Sequence, residues 1–159
     1  MTAILIVCTA NICRSPMAEA ILKRLVSERL DADQWHVESA GTWAMDGSPP
    51  AILSQFVMEK MGMDISSHQS QPTSLKLIQH FDLVLTMEND HKKWLKIQYG
   101  EIADRIYMLS EMVGARVDIP DPIGGELLDF EETAFLLERI LRDGIDKIHE
   151  MAFTYHEEL

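Results

Sequence analysis

Residues 3–7, "AILIV", are five consecutive apolar positions ending at Cys8, with no polar alternation. Such a run predicts a strand buried on both faces, as in a parallel sheet. From Ser15 the period changes. Met17, Ala18, Ile21, Leu22, Leu25 and Val26 recur at helical spacing, with Ser15 placed as N-cap and Pro16 at the first helical position, where its missing N–H costs nothing. The alternation then repeats. "WHVESAG" (35–41) predicts a strand, "PAILSQFVMEKMG" (50–62) a helix stopped by Gly62, and "FDLVLTM" (81–87) another buried strand. "ENDHKKWLKIQYG" (88–100) predicts a helix and "DRIYML" (104–109) the last strand; Phe130, Ala134, Leu137, Leu141, Ile145 and Ile148 stripe a closing helix. Alternating strands and helices of these lengths imply an α/β fold with an open, mostly parallel sheet covered on both faces. Ligands in such folds bind beyond the carboxyl ends of the strands, and Cys8 lies at one of them.

The 159 residues show no linker, repeat or compositional shift, so one domain spanning 1–159 is expected. No apolar run approaches the length that spans a bilayer, so no membrane insertion is expected. "AILIV" has neither a basic region before it nor a small-residue cleavage pattern after it, so no secretory signal and a cytoplasmic location are expected. A net charge of −12 argues against a general nucleic-acid binder, because the mean field repels a polyanion. Any anionic ligand must therefore be attracted locally. Two cysteines are too few for a disulfide framework or a cysteine-rich zinc site, and reduced thiols are expected, with no metal and no cofactor.

Five residues, Thr9 to Cys13, separate Cys8 from Arg14, enough to curl the backbone around a phosphate and bring the guanidinium back to face the thiol. Inward-pointing amides in such a curl form an anion nest, and the following helix adds the positive end of its dipole. Arg14 offers a bidentate fork to phosphate oxygens. In the same field Cys8 is expected to stand as a thiolate at neutral pH, placed to attack the phosphorus of a bound monoester and form a cysteinyl phosphate. Expulsion of a poor leaving group needs a proton donor. Asp121 stands out because Pro120 and Pro122 stiffen the loop on either side of it. Asp118 reads as a solvated turn residue and His91 as a solvated helix residue.

"VCTANICRSPMAEA" (7–20) resembles the phosphate-binding loop of the low-molecular-weight protein-tyrosine phosphatases, a superfamily shared with bacterial protein-arginine phosphatases and thioredoxin-coupled arsenate reductases. The resemblance continues in order through "ESAGT" (38–42), "HQS" (68–70), "FDLVLTMENDH" (81–91) and "IPDPIGG" (119–125). It implies a doubly wound four-stranded parallel sheet, a two-step metal-independent mechanism and a phosphorylated protein as partner. It further implies a phosphate-binding loop of Thr9, Ala10, Asn11, Ile12, Cys13, Arg14 and Ser15, with Cys8 as nucleophile and Asp121 in the general-acid loop. Asn11, Ser15, Ser39 and His68 match polar residues that support that loop. Cys13 matches a redox partner that protects Cys8 as a reversible disulfide; the other reading is that it simply packs under the loop.

The chain departs from the family pattern at several places. Ala10 replaces a usual glycine, which introduces strain if the loop needs positive φ there. Ile123 stands where an aromatic wall of the substrate cleft is usual, and Trp43 is a candidate replacement wall. Gln69 and Gln71 stand where basic residues often follow the supporting histidine. Ile12 matches the tyrosine-directed members, whereas arginine phosphatases prefer threonine at that position. The expectation is a phosphotyrosine phosphatase. Its alternatives are a protein-arginine phosphatase, an arsenate reductase using an external thiol, and a catalytically weak phosphate-binding module.

Overall fold

Four strands form one sheet: β1 (Thr2–Cys8), β2 (Trp35–Gly41), β3 (Leu83–Thr86) and β4 (Ile106–Met108). Their order is β2-β1-β3-β4 and every neighbouring pair runs parallel. The structure, a computed structural model, describes residues 1–156. The helices are α1 (Arg14–Ser27), α2 (Ile52–Lys60), α3 (Leu75–Ile78), α4 (Asn89–Gln98) and α5 (Leu127–His156).

The unbroken apolar run of β1 has a direct cause. Ile4, Ile6 and Cys8 face one core with Met17, Ile21 and Leu22 of α1 and Leu137 and Leu141 of α5, while Leu5 and Val7 face a second core with Ile78 of α3 and Leu95 of α4. Burying one such side chain contributes about 1.5–3 kcal/mol, so a polar residue on either face of β1 would be costly. Helices therefore cover both faces of a doubly wound sheet, as the sequence pattern implies. Among the described residues no helix is long and apolar enough to cross a membrane.

Several boundaries differ from expectation. The strand read over 104–109 is only three residues long, because 3₁₀ turns at Gly100–Arg105 and Leu109–Val113 take its ends. The helix α3 escapes prediction because one turn is too short to show a period. Gly62 does stop the second helix region, with φ of 82°. Ser15 is not an N-cap: α1 begins at Arg14 with Cys13 at the cap and no side-chain capping bond, so Pro16 is the third helical residue. The Ser15 hydroxyl is used elsewhere, in bonds to residues of the loop before α1.

This topology fixes where a ligand sits. The chain leaves β1 toward β2 on one side and places β3 on the other, so the carboxyl ends of β1 and β3 flank the switch point of the sheet. Cys8 ends β1 and Glu88 follows β3, and the segment after Ile119 joins them through the Ile119 N–H, which donates to the Met87 carbonyl at 2.9 Å. Gly41, at the end of β2, has to be glycine, since a Cβ there would collide with the Thr9 carbonyl oxygen and lie 3.0 Å from the Asn11 nitrogen.

Candidate active site

The loop from Cys8 to Arg14 is held from outside by its carbonyls. Those of Cys8 and Thr9 accept from the N–H groups of Thr42 and Trp43, each at 2.9 Å. Those of Ile12 and Cys13 accept from Ala51 at 2.8 Å and Met17 at 3.3 Å, and that of Asn11 accepts from His68 Nε2 at 2.8 Å. A planar trans peptide points its carbonyl and the following N–H in opposite directions. Outward carbonyls at these five residues therefore turn the N–H groups of Thr9, Ala10, Ile12, Cys13 and Arg14 inward, which makes a concave set of donors suited to an oxyanion.

Positive φ falls on Asn11, at 57°, and not on Ala10, so alanine at that position brings no left-handed strain. Asparagine tolerates this region better than most residues, and its side chain pins it there. Asn11 Oδ1 accepts from the Gln71 N–H at 3.0 Å, while Nδ2 donates to Ser15 Oγ at 2.7 Å and Ser39 Oγ at 2.9 Å. Ser15 Oγ, which accepts from Asn11, also lies 2.9 Å from Cys8 Sγ and 3.5 Å from the Ala40 carbonyl, to which it donates. Ser39 in turn donates to Glu19 Oε2. Gln71 is thus part of the bracing; its Nε2 also donates to the Ser39 carbonyl at 3.0 Å and Glu38 at 3.1 Å.

Arg14 is buried to 1% exposure, yet it sits amid carboxylates. Nη1 donates to the Ile119 carbonyl at 2.7 Å and pairs with Glu88 Oε2 at 3.0 Å, and Nη2 lies 3.4 Å from Asp121 Oδ2. Nε is buried without a hydrogen-bond partner. A buried guanidinium with an orphan donor is held in place on one side and ready for an anion on the other. Asp121 is more than a third exposed, and its Oδ1 accepts from the Ile123 N–H at 3.1 Å, which fixes the carboxyl over Arg14. Asp118, three residues away, is exposed and accepts from the Asn89 N–H at 2.8 Å, so it is engaged with α4 and does not line the cleft.

These groups meet in a cleft of about 240 Å³. Cys8, Arg14 and Asp121 line it together, and Ile12, Trp43 and Ile123 supply its apolar walls, Trp43 being 86% exposed. A larger hollow of about 350 Å³ lies behind the loop, against Glu19, Ser39 and His68, and neither cysteine lines it. Both cysteines are free thiols. Burial, and next the charge of Asp121, push the Cys13 thiol up to about 12, so it keeps its proton at neutral pH.

The family model described as low molecular weight phosphotyrosine protein phosphatase matches residues 3–152. The chain belongs to this family. It is 35% identical to the protein-arginine-phosphatase of Bacillus subtilis (strain 168), over 87% of this chain and 91% of that one. It is 31% identical to the low molecular weight phosphotyrosine protein phosphatase of Gallus gallus, over 92% and 96% of the two chains. The crystal structure of a low molecular weight protein tyrosine phosphatase from T. tengcongensis superposes with a TM-score of 0.87 at 38% identity, covering 92% of this chain and 99% of that one.

Within this phosphatase-family chain, every residue that the sequence suggested for the site lies in or directly behind the cleft. The sequence misplaced His91 and gave no notice of Glu88 or Glu19. His91 is not solvated: it is 6% exposed and its Nε2 lies 2.8 Å from Thr9 Oγ1. Glu88 and Glu19 look like ordinary helix-edge carboxylates in sequence, and only the fold places one on Arg14 and the other on Ser39.

Proposed function

We propose that the protein hydrolyses aryl phosphate monoesters, phosphotyrosine in proteins above all, through a phosphorylated Cys8. The observation that carries this reading is the convergence of Cys8, Arg14 and Asp121 in one cleft with apolar walls. The substrate phosphate lies in the inward N–H groups with two oxygens on Arg14, and the ring lies between Ile12, Trp43 and Ile123. The Cys8 thiolate attacks phosphorus and the ester P–O bond breaks, while Asp121 gives its proton to the departing oxygen. Water then attacks the phosphorus, Asp121 takes a proton from it, and the P–S bond breaks to return the thiolate and release phosphate. The amides and Arg14 neutralise the charge on the equatorial oxygens, the task a metal ion performs in other phosphoryl-transfer sites. Asn11, Ser15, Ser39 and His68 support the loop. His68 is not the base, because its Nε2 is spent on the Asn11 carbonyl at 2.8 Å.

A protein-arginine phosphatase is the second reading, favoured by the identity to the Bacillus subtilis relative. The Ile12 side chain supports the first reading: an apolar wall suits a phenyl ring and offers no hydrogen-bond partner to a substrate guanidinium. In matched peptides assayed with EDTA, kcat/KM for phosphotyrosine should exceed that for phosphoarginine by about tenfold or more. The reverse order would transfer the assignment to the arginine enzymes, and loss of activity in EDTA would remove the metal-free mechanism.

We place the reaction in the cytoplasm, where thiols stay reduced, and take Cys13 as the redox partner of Cys8. Peroxide converts the Cys8 thiolate to a sulfenic acid; the Cys13 thiol then displaces water to form the disulfide, which dithiothreitol reduces. After a peroxide pulse, dithiothreitol should restore wild-type activity about tenfold better than that of Cys13→Ser, where oxidation proceeds to irreversible acids. Equal recovery would show that Cys13 only packs beneath the loop.

A further inference from the structure

His91, in the first turn of α4, takes no part in the steps above, yet both of its ring nitrogens are engaged. Nδ1 accepts the Glu88 backbone N–H at 3.1 Å. Nε2 lies 2.8 Å from Thr9 Oγ1 and 3.3 Å from Glu88 Oε2, the same oxygen that pairs with Arg14 Nη1 at 3.0 Å. A neutral imidazole carries one proton, and a nitrogen that accepts an N–H cannot hold it. The proton is therefore on Nε2, which donates toward Thr9. Burial, followed by the Arg14 charge, holds His91 below the ordinary histidine value against the opposing pull of Glu88, Asp118 and Asp121, so the ring stays neutral at neutral pH.

Those contacts end at the two halves of the oxyanion site. Thr9 follows the nucleophile directly and its carbonyl is fixed by the Trp43 N–H, which leaves the side chain as the other handle on that peptide. Glu88 is the carboxylate that sets the guanidinium plane of Arg14. A histidine that merely filled the core would bond to groups remote from the reacting atoms, whereas this one joins the residue after Cys8 to the partner of Arg14, 82 residues along the chain from Thr9.

We propose that His91 is a positioning residue, which through Thr9 and Glu88 holds the phosphate loop and the Arg14 guanidinium in the mutual geometry that receives a phosphoryl group. This rests on the phosphatase reading of the cleft. Loss of one buried hydrogen bond in such a chain corresponds to roughly tenfold in affinity.

The test compares wild type, His91→Ala, His91→Gln, Thr9→Val and the double variant His91→Ala/Thr9→Val, using calorimetric binding of inorganic phosphate and steady-state hydrolysis of p-nitrophenyl phosphate. His91→Ala should bind phosphate about tenfold more weakly and lose kcat/KM in proportion. His91→Gln should recover most of that loss, because an amide oxygen can accept from Glu88 while its NH₂ donates to Thr9. The double variant should be no weaker than His91→Ala alone. Phosphate binding equal to wild type in His91→Ala, absence of rescue by glutamine, or full additivity with Thr9→Val would each overturn the proposal. If His91→Ala fails to fold, Thr9→Val carries the test alone: phosphate binding weakened about fivefold or more supports it, and unchanged binding overturns it. Because phosphate binding is read without turnover, a wild type that binds phosphate but hydrolyses nothing refutes the phosphatase reading and leaves the comparison of variants intact.

Discussion

Cys8→Ser should lower the rate of aryl phosphate hydrolysis by on the order of 10⁴ or more while still binding inorganic phosphate within about fivefold of wild type. The two halves of this expectation have separate physical sources. Turnover needs an ionised nucleophile at the phosphorus, and a serine hydroxyl at the same place is a far weaker acid than a thiol and holds its proton. Ser15 Oγ lies 2.9 Å from Cys8 Sγ, but a neutral hydroxyl is far too weak a base to deprotonate a neighbouring serine. In the proposed mechanism phosphate binding comes instead from the amides of residues 9, 10 and 12–14 and from Arg14. Their positions are set by carbonyl bonds to Thr42, Trp43, Ala51 and His68 that do not involve the sulfur. Calorimetry with phosphate beside a p-nitrophenyl phosphate assay separates the two. A residual rate above about a tenth of wild type would remove Cys8 from the role of nucleophile, and loss of phosphate binding would show that the cradle depends on the thiolate.

Much of this arrangement is legible in the chain because its central part is local. A strand, a curl of five residues and a helix lie within a single stretch, and their periods identify them without knowledge of anything else. The cleft walls and Asp121 are less local, and there the family resemblance adds what spacing cannot. The supporting shell is where sequence reasoning stops. His91 sits in the first turn of a helix, and neither hydropathy nor period distinguishes a ring in water from one bonded to Thr9 across the sheet. Gln71 stands in sequence only as a glutamine where basic residues are usual, yet its backbone N–H holds Asn11 Oδ1. Ala10 shows the opposite error, since the left-handed residue is its neighbour Asn11. Ser15 reads as an N-cap because helix starts favour serine, but it lies inside the first turn of α1 with its hydroxyl against Asn11 and Cys8. In each instance the deciding partner is a tertiary contact, or a backbone angle, with no signature in the residues alongside.

The acid assignment leads to the second large effect. Asp121→Ala should slow hydrolysis of phenyl phosphate by about 10³, but that of p-nitrophenyl phosphate by only about tenfold. A phenolate of low basicity leaves without a proton, whereas a basic one needs proton transfer as the P–O bond breaks, so the loss should grow with leaving-group basicity. Position supports Asp121 over its neighbour. Asp121 faces the cleft 3.4 Å from Arg14 Nη2, while Asp118 is turned to the Asn89 N–H, so Asp118→Ala should show no leaving-group trend. Phosphate binding points the other way. Asp121 lies beside the cation that holds the substrate and competes with it, so its removal should leave phosphate affinity equal or improved even as turnover falls. A loss that is the same for both esters would mean that Asp121 only orients Arg14, and the proton would have to come from another group at the cleft mouth.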